Sequence, residues 1–576
     1  MPSKPTVMTY DRVNFQRMMR KILFAFGSGI GMGLTSAPLE AWYLAWVAVI
    51  PLWLIIITPN HRSSQEKIVF TSYSSLGKVP EAEGVSRDYE PHRKLTLWKK
   101  IKSFGDRHKL KLTCAVAWGL GYQGLTLFWI TGIHPMTWMG VPWFWSLCIA
   151  AICWLIITFW GICIPFFWAV GMLIFQDLAT VKPLGLAGRC NRVLFGTALW
   201  CIAEYFLSQS DLFWHFLAFS QSPHNLFLLQ LTRFSGFTTV TTIIVATNAL
   251  FAESIFSFLQ QKRKFFITSS LIGFSLILLA SSHVWGWYLF SNAELVTNRS
   301  AKIGIIQGNI PNEIKLYEDG TSRAIANYTK GYRELAKQNV DLIITPETAL
   351  PFSIEQVLGG TEFSRAMRWE RVPIILGAFG AEGKNFTNSL FTISAQTEVI
   401  SRYNKQQLVP LGEYIPFESI LGKFIDRLSP LDAHLVRGQN PPTLFTPIGQ
   451  AIAAICYESA YPEHFRRQTA AGGEYIIVSS NDAHYSPTMP AQHHALDIMQ
   501  AIANDRWTVR ASNTGISGVI KPNGETIWKS QLNDTVTYAT DIYLKQTKNP
   551  YVAFGNWLLP LYLIIIFLQI VYQYRR

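Results

Sequence analysis

The chain has 576 residues, 49% of them hydrophobic and 14% aromatic, with 20 Trp, a composition that excludes an ordinary water-soluble protein and points to membrane residence. The net charge of +13 does not point to nucleic acid, because Lys and Arg gather beside hydrophobic runs, with no RNP-type motif, zinc-finger spacing or basic region with interleaved aromatics. The charge is instead a topology signal.

A polar stretch at 1–16 leads through Arg17, Arg20 and Lys21 into an apolar run at 22–35. Thr35-Ser36-Ala37 resembles a signal-peptide cleavage site, but a second apolar run at 42–58 follows at once, as expected of two spans in a hairpin, so the first is read as uncleaved. Further spans are expected at 112–130, 143–175, 193–207, 234–256, 265–289 and 551–572, eight in all. Each span inverts the side of the next loop. Arg93, Lys94, Lys99 and Lys100 follow the second span, Lys182, Arg189 and Arg192 the fourth, and Lys262, Arg263 and Lys264 the sixth, whereas 131–142 and 209–225 contain no Lys or Arg. The basic loops are therefore expected on the cytoplasmic side with both termini, and the region between the seventh and eighth spans on the outer face.

This divides the chain into a membrane domain of seven helices at 1–289, an outer domain at 290–550, and a last helix with a cytoplasmic tail at 551–576. The basic, Ser-rich insert at 59–111 reads as a flexible loop lying on an anionic leaflet. Glu204, Asp211, Arg233 and His283 are ionisable groups near the spans and would suit a transport path. Asp211 and Arg233 fall at span ends, where solvation at the interface accounts for them, and Glu204 alone looks deep. Trp285 and Trp287 suit interfacial anchors or a substrate gate equally.

Within 290–550 the pattern changes to short β-branched runs at 302–310, 340–345, 372–378, 389–394, 451–455, 475–480 and 514–520, alternating with helical stretches at 321–338 and 493–506. Such alternation argues for a layered α/β sandwich. Six of the seven cysteines lie in the first half of the chain, so this region holds only Cys456. That residue ends a strand, and Glu458 shares its side if extended geometry continues. A lone thiol is either a small core residue or a nucleophile with partners elsewhere.

Three stretches offer partners. Residues 341–345 form a buried-type strand that turns at Pro346 to present Glu347; Tyr403-Asn-Lys405 precedes Leu408-Val-Pro-Leu-Gly-Glu413; and a strand at 475–480 ends in Asn481-Asp482. Each alone is more often a solvated turn. His484, His493 and His494 with Asp482 raise a zinc reading, yet adjacent histidines on one helix point roughly 100° apart and lack the i, i+4 spacing of shared ligation. No metal or other cofactor is expected.

Taken jointly, Pro-Glu347-Thr, Tyr-Asn-Lys405-Gln-Gln-Leu-Val-Pro-Leu-Gly-Glu413-Tyr-Ile-Pro-Phe, Cys456-Tyr457-Glu458 and Ser-Asn513-Thr-Gly resemble the nitrilase superfamily, whose members carry a Glu, a Lys and a Cys at successive strand ends. With the flanking spans the closer likeness is to the bacterial apolipoprotein N-acyltransferase family, in which a nitrilase-like domain is inserted before the last transmembrane helix. The resemblance implies an eight-helix membrane domain carrying an αββα sandwich in a bacterial inner membrane, with the sandwich on the periplasmic side. It implies Glu347 as base, Lys405 as oxyanion stabiliser and Cys456 as nucleophile, with Glu413 and Glu458 orienting Lys405 and the nucleophile loop, and Asn388 and Tyr457 in support. The implied reaction moves an acyl chain from a phospholipid, through a Cys thioester, to the α-amino group of the diacylglyceryl-cysteine of an apolipoprotein. One departure is Ala483-His484-Tyr485-Ser486, where the family usually continues Trp-Phe-Gly after Asn-Asp. A membrane-tethered amidase using the same residues, and a transporter or receptor with a ligand-binding outer domain, are the alternatives. The transporter would call for inverted span groups and midplane charges. Residues 416–431 have the spacing of an amphipathic helix, suited to a mobile lid or to ordinary core packing.

Overall fold

The computed structural model describes residues 7–59, 97–178, 185–260, 265–410, 412–414, 435–439 and 443–575; the candidate lid at 416–431 lies outside them. The helical part comprises α1 (Val7–Gly33), α2 (Ile50–Ile57), α3 (Leu97–Thr126), α4 (Trp143–Leu178), α5 (Leu186–Ser208), α6 (Phe237–Gln260) and α7 (Phe265–Ser291). Among the described residues, α4, α6 up to Leu259, and α7 are long and apolar enough to cross a membrane; Trp42–Ile57 and Leu558–Gln573 are apolar but shorter.

Three expectations change here. The second apolar run is not one helix: a tight turn at Trp42–Trp46 precedes α2, which has Pro51 in its first turn, a residue that suits a helix start and cannot donate into a preceding turn. Residues 97–111, expected within the flexible insert, belong to α3. Its polar end is anchored, with Lys111 Nζ donating to the Ile56 carbonyl at 2.6 Å and His108 Nε2 3.1 Å from Asp177. Arg189 and Arg192 are not loop residues but lie buried in α5. They converge on Glu253 of α6, which accepts from Arg189 Nη1 at 3.0 Å, Arg192 Nε at 2.7 Å and Nη2 at 2.6 Å, and Trp53 Nε1 at 3.2 Å. Buried charges of this kind persist only when paired and hydrogen-bonded.

The α/β domain is built on two six-stranded sheets. The first contains β1 (Ser300–Gln307), β2 (Leu342–Ile344), β3 (Ile374–Glu382), β4 (Asn385–Ile393), β5 (Val399–Asn404) and β12 (Val536–Tyr543), in the order β12-β1-β2-β3-β4-β5. The second contains β6 (Leu444–Thr446), β7 (Gly449–Ile455), β8 (Tyr475–Ser480), β9 (Thr508–Ser512), β10 (Gly518–Ile520) and β11 (Thr526–Lys529), in the order β11-β10-β9-β8-β7-β6. In each sheet the central three strands are parallel and the outer ones antiparallel.

Side-chain alternation then sets the layers. Ile303, Ile305, Leu342, Ile344, Ile375, Ala453, Ile455, Ile477 and Val509 share one core between the sheets. The intervening Ile306, Ile343, Ile374 and Leu376 turn outward onto α8 (Glu318–Ala336) and α9 (Glu362–Glu370), through Tyr328, Tyr332, Leu335 and Phe363. On the far face Ile452, Ala454, Ile476 and Val478 cover Phe465 of α10 (Pro462–Ala470). The result is the expected αββα sandwich. The remaining outer helix, α11 (Thr488–Asn504), puts Leu496, Met499 and Ile502 into the same apolar cluster as Phe213, Leu228 and Val240 of the helical part. One edge of the sandwich is thus rooted in the bundle, and the chain returns to it through α12 (Leu558–Tyr574).

Polar ties reinforce that junction. Arg233 and Asp211 are not simply solvated: Arg233 pairs with Asp505 at 3.2 Å beside Lys545 at 2.9 Å, and Asp211 accepts from Arg437 and from Tyr414 Oη at 2.6 Å each. Glu204 is buried, as expected, and accepts from the Leu217 N–H at 2.6 Å and Thr241 Oγ1 at 2.9 Å. Trp285 and Trp287 are about half exposed on α7 and have no part in the site described next.

Candidate active site

Strand ends deliver the three expected groups to one place. After β2 the chain turns at Thr348, which takes a left-handed φ of 45°, and Glu347 is left buried at the turn. Lys405 follows directly on β5, and its Nζ lies 2.9 Å from Glu347 Oε1 and 2.9 Å from Glu413 Oε2. Asn388 of β4 donates from Nδ2 to both acids, at 2.6 Å to Glu347 Oε1 and 3.0 Å to Glu413 Oε1. The second Glu347 oxygen accepts the Asn481 N–H at 2.9 Å, and Glu413 Oε2 accepts the Val409 N–H at 2.8 Å. Glu347 therefore has a donor on each oxygen and a cation on one.

Cys456 begins a tight helical turn, Cys456–Ala460, instead of continuing β7. Its φ is 51°, a conformation that costs a non-glycine residue on the order of 1 kcal/mol. The expected extended pairing with Glu458 fails for that reason, and Glu458 folds back beneath the thiol, fully buried. There it accepts from the N–H groups of Ile455 at 2.7 Å, Gln406 at 2.7 Å and Gln407 at 3.2 Å, and from Tyr403 Oη at 2.9 Å. It ties the end of β7 to the backbone after Lys405, whereas Glu413 is the acid that touches Lys405 itself.

Burial and charge set the resting protonation states. Burial pushes the Glu347 carboxyl up, but Lys405 more than offsets it and leaves the group below the usual carboxylate range. Burial pulls Lys405 down, and Glu347 with Glu413 raise it well above an ordinary lysine. Cys456 is only 5% exposed; burial first and Glu347 second push its thiol well up, against Lys405. The resting set is carboxylate, ammonium and thiol, which suits a base that removes the thiol proton as the bond forms.

Residues 302–548 match the family model "Carbon-nitrogen hydrolase", and residues 96–250 match "Apolipoprotein N-acyltransferase N-terminal domain". The Apolipoprotein N-acyltransferase of Nostoc sp. is 44% identical over 92% of this chain and 95% of its own. The chain belongs to the apolipoprotein N-acyltransferase family. The protein of that name in Synechocystis sp. is 40% identical over 94% of this chain and 98% of its own. Among solved structures, an amidase of the nitrilase superfamily from Nesterenkonia AN1 matches 46% of this chain and 98% of its own at 19% identity, with a TM-score of 0.35. The two acyltransferase relatives and the two family models favour neither the amidase nor the transporter alternative.

In this acyltransferase-family chain the turn after Cys456 is held from the helical part as well as from the sandwich. Tyr457 Oη donates to the carbonyls of Asp211 at 2.7 Å and Phe213 at 2.8 Å, in the loop joining α5 to α6. Its ring stacks on Trp214 at 6.0 Å and 7°. Trp214 Nε1 donates to Gln492 of α11 at 2.8 Å, and Gln492 donates onward to the Ala37 and Thr126 carbonyls. Three segments of the helical part thereby set where the residue after the thiol can lie.

The histidines separate as their spacing requires. His494 Nε2 meets Thr526 Oγ1 at 3.0 Å, His484 Nδ1 meets Asn312 Nδ2 at 2.9 Å, and His493 turns to Cys456, with Nε2 2.8 Å from the Cys456 carbonyl and Nδ1 3.2 Å from Asp482. The Cys456 thiol, Asp482 and His493 do bring ligand atoms within 4.8 Å of one another. Their donors fit hydrogen bonding better than a cation, because the buried Arg510 guanidinium already lies 2.8 Å from Asp482 and 2.8 Å from Asp497. Arg510 and His493 hold the Asp482 carboxyl well below its usual range against burial.

Sequence reasoning missed His493 as a support of the Cys456 carbonyl, and it missed Lys315. The latter lies on a short turn, Asn312–Lys315, after β1 and donates from Nζ to the Glu347 carbonyl at 3.2 Å. Nothing in its spacing distinguishes it from surface lysines such as Lys330.

Proposed function

We propose that the protein is an integral-membrane N-acyltransferase that moves a fatty acyl chain from a phospholipid, through a thioester on Cys456, to the α-amino group of a diacylglyceryl-cysteine at the N-terminus of an apolipoprotein. The observation that carries it is the junction: a buried Glu347, Lys405 and Cys456 set whose nucleophile loop is fastened by Tyr457 to the apolar helical bundle. A soluble amide needs no such attachment, and a lipid ester does. An apolar groove of about 370 Å³, lined by Ile152, Leu155, Ile156, Phe159, Trp160, Cys163 and Leu212, adds support, since Leu212 adjoins the carbonyl that holds Tyr457.

Glu347 takes the Sγ proton as sulfur attacks the ester carbonyl. Lys405 and the N–H of Tyr457 stabilise the oxyanion, a role in which one donor is worth roughly 3 kcal/mol. Collapse breaks the ester C–O bond, Glu347 returns the proton to the leaving glycerol oxygen, and lysophospholipid departs. The incoming amine then attacks the thioester, Glu347 accepts its proton, and the thiolate leaves and is reprotonated. Glu413 and Asn388 keep Lys405 and Glu347 in register throughout, and Glu458 holds the backbone beneath them. Incubation with phospholipid alone should leave an acyl group on Cys456 that neutral hydroxylamine removes and a diacylglyceryl-cysteine peptide discharges. Lipid-dependent activity without such an adduct would sink the covalent scheme.

The same proposal places the catalytic unit, 290–550, on the periplasmic side of a bacterial inner membrane, with 1–289 and 551–576 as its membrane parts and both termini cytoplasmic. The Lys and Arg asymmetry of the loops supports this. A cysteine introduced at Ser74, outside the described residues, in a chain cleared of its other cysteines should react with an impermeant thiol reagent only after the inner face is opened. Labelling in intact cells would reverse the orientation.

A further inference from the structure

We propose that Lys315, together with the Nε2–H of His484, receives the phosphodiester of the lipid donor beside Cys456. This rests on the acyltransferase function proposed above and names how its donor is recognised. Lys315 is 4% exposed, and its ammonium, with three donors to place, makes one hydrogen bond, to the Glu347 carbonyl at 3.2 Å. Among the described residues no carboxylate oxygen lies within ion-pair reach of it, whereas Lys405 has two. A buried cation with idle donors is costly unless an anion arrives to meet it. Burial pulls Lys315 down to about 8, with Glu347 and Cys456 drawing it back up, so the group is close enough to the reacting thiol to be felt by it.

His484 supplies the second donor. The Asn312 amide nitrogen can only donate, so His484 Nδ1 accepts from it at 2.9 Å and the ring proton sits on Nε2. Burial, then Lys315, holds this imidazole down to about 4, and the ring is neutral. Half-buried His484 lies 6.3 Å from Trp138 of the helical part, and exposed Leu316 and Tyr317 follow Lys315 directly. The arrangement is a cationic floor with an aromatic and aliphatic rim, which fits a phosphate joined to acyl chains. In a phospholipid the phosphate is the anion nearest the scissile ester, and the acceptor peptide brings an ammonium in its place. Lys315 therefore favours the donor and disfavours the acceptor in the first half-reaction.

The test compares thioester formation on Cys456 from phosphatidylglycerol or phosphatidylethanolamine with that from p-nitrophenyl palmitate, which carries no phosphate. Lys315→Met should lower the phospholipid kcat/KM about 10- to 100-fold further than that of the neutral ester, the excess being the worth of a hydrogen bond to a charged group; Lys315→Arg should restore most of that excess. His484→Phe, which keeps a ring against Trp138, should show the same selectivity on a smaller scale. The thermal midpoint reports folding in each variant. Equal losses with both donors in a variant of unchanged thermal midpoint, or no loss with either, would overturn the assignment. Millimolar inorganic phosphate should not compete; inhibition confined to the phospholipid reaction would assign the pocket to free phosphate instead. A wild-type chain that gives no adduct from either donor would overturn the covalent scheme, and this inference with it.

Discussion

Cys456→Ala should abolish the hydroxylamine-labile adduct and lower acyl transfer by on the order of 10⁴-fold or more, the scale on which nucleophile loss acts in other acyl-transfer enzymes. Glu347→Gln should cost roughly 10²- to 10⁴-fold, the worth of a positioned base, and should do so without unfolding the domain. The geometry says why. The amide oxygen of Gln can still accept from Asn388 and Lys405 where Glu347 Oε1 does, but its NH₂ then meets the Asn481 N–H that now bonds Oε2. One hydrogen bond is replaced by two opposed donors, a penalty of about 1–3 kcal/mol. The thermal midpoint should fall modestly while the first half-reaction nearly stops. A Glu347→Gln chain that still acylates Cys456 at near wild-type rate would remove Glu347 from the base's role.

The parts of the site that were legible in the sequence are those announced locally. Glu347, Lys405 and Cys456 each terminate or follow a strand, and a short run of β-branched residues or a turn proline marks each place. What was not legible depends on partners distant in the chain. The run Thr508–Ser512 did not read as a strand because Arg510 interrupts it, and Arg510 is tolerable there only because Asp482 and Asp497 lie on other elements. Arg189 and Arg192 read as loop charges because Glu253, 64 and 61 residues away, is what allows them into a helix. β12 was missed for a different reason: Val536–Tyr543 is an edge strand of largely half-buried residues, without the apolar run that marks central strands. Lys315 is the same problem at the active site, since an unpaired buried lysine leaves no trace in local pattern.

Lys405→Met should combine a rate loss of roughly 10²- to 10³-fold with a loss of stability that depends on pH. In the wild type Glu347 is held below the ordinary carboxylate value in the folded state. Its contribution is therefore present above the unfolded value of about 4.3 and lost as pH falls through the depressed folded value. Lys405, raised when folded, contributes fully below its unfolded value of about 10.4, so both terms are flat between about pH 5 and 8. Without the ammonium, buried Glu347 and partly buried Glu413 face one Asn388 amide as like charges, and breaking a pair with a buried partner in this way costs up to about 3–5 kcal/mol. One of the two carboxyls must then rise above its unfolded value, and a raised group stabilises below that value and loses its contribution as pH climbs through the folded one. The gap in thermal midpoint between wild type and variant should accordingly be smaller at pH 5 than at pH 8; His484, held down to about 4 when folded, lowers both chains alike as pH falls through the unfolded histidine value of about 6.5. Thermal midpoints of the two chains that run parallel from pH 8 to 5 would show that Lys405 does not hold the two acids together.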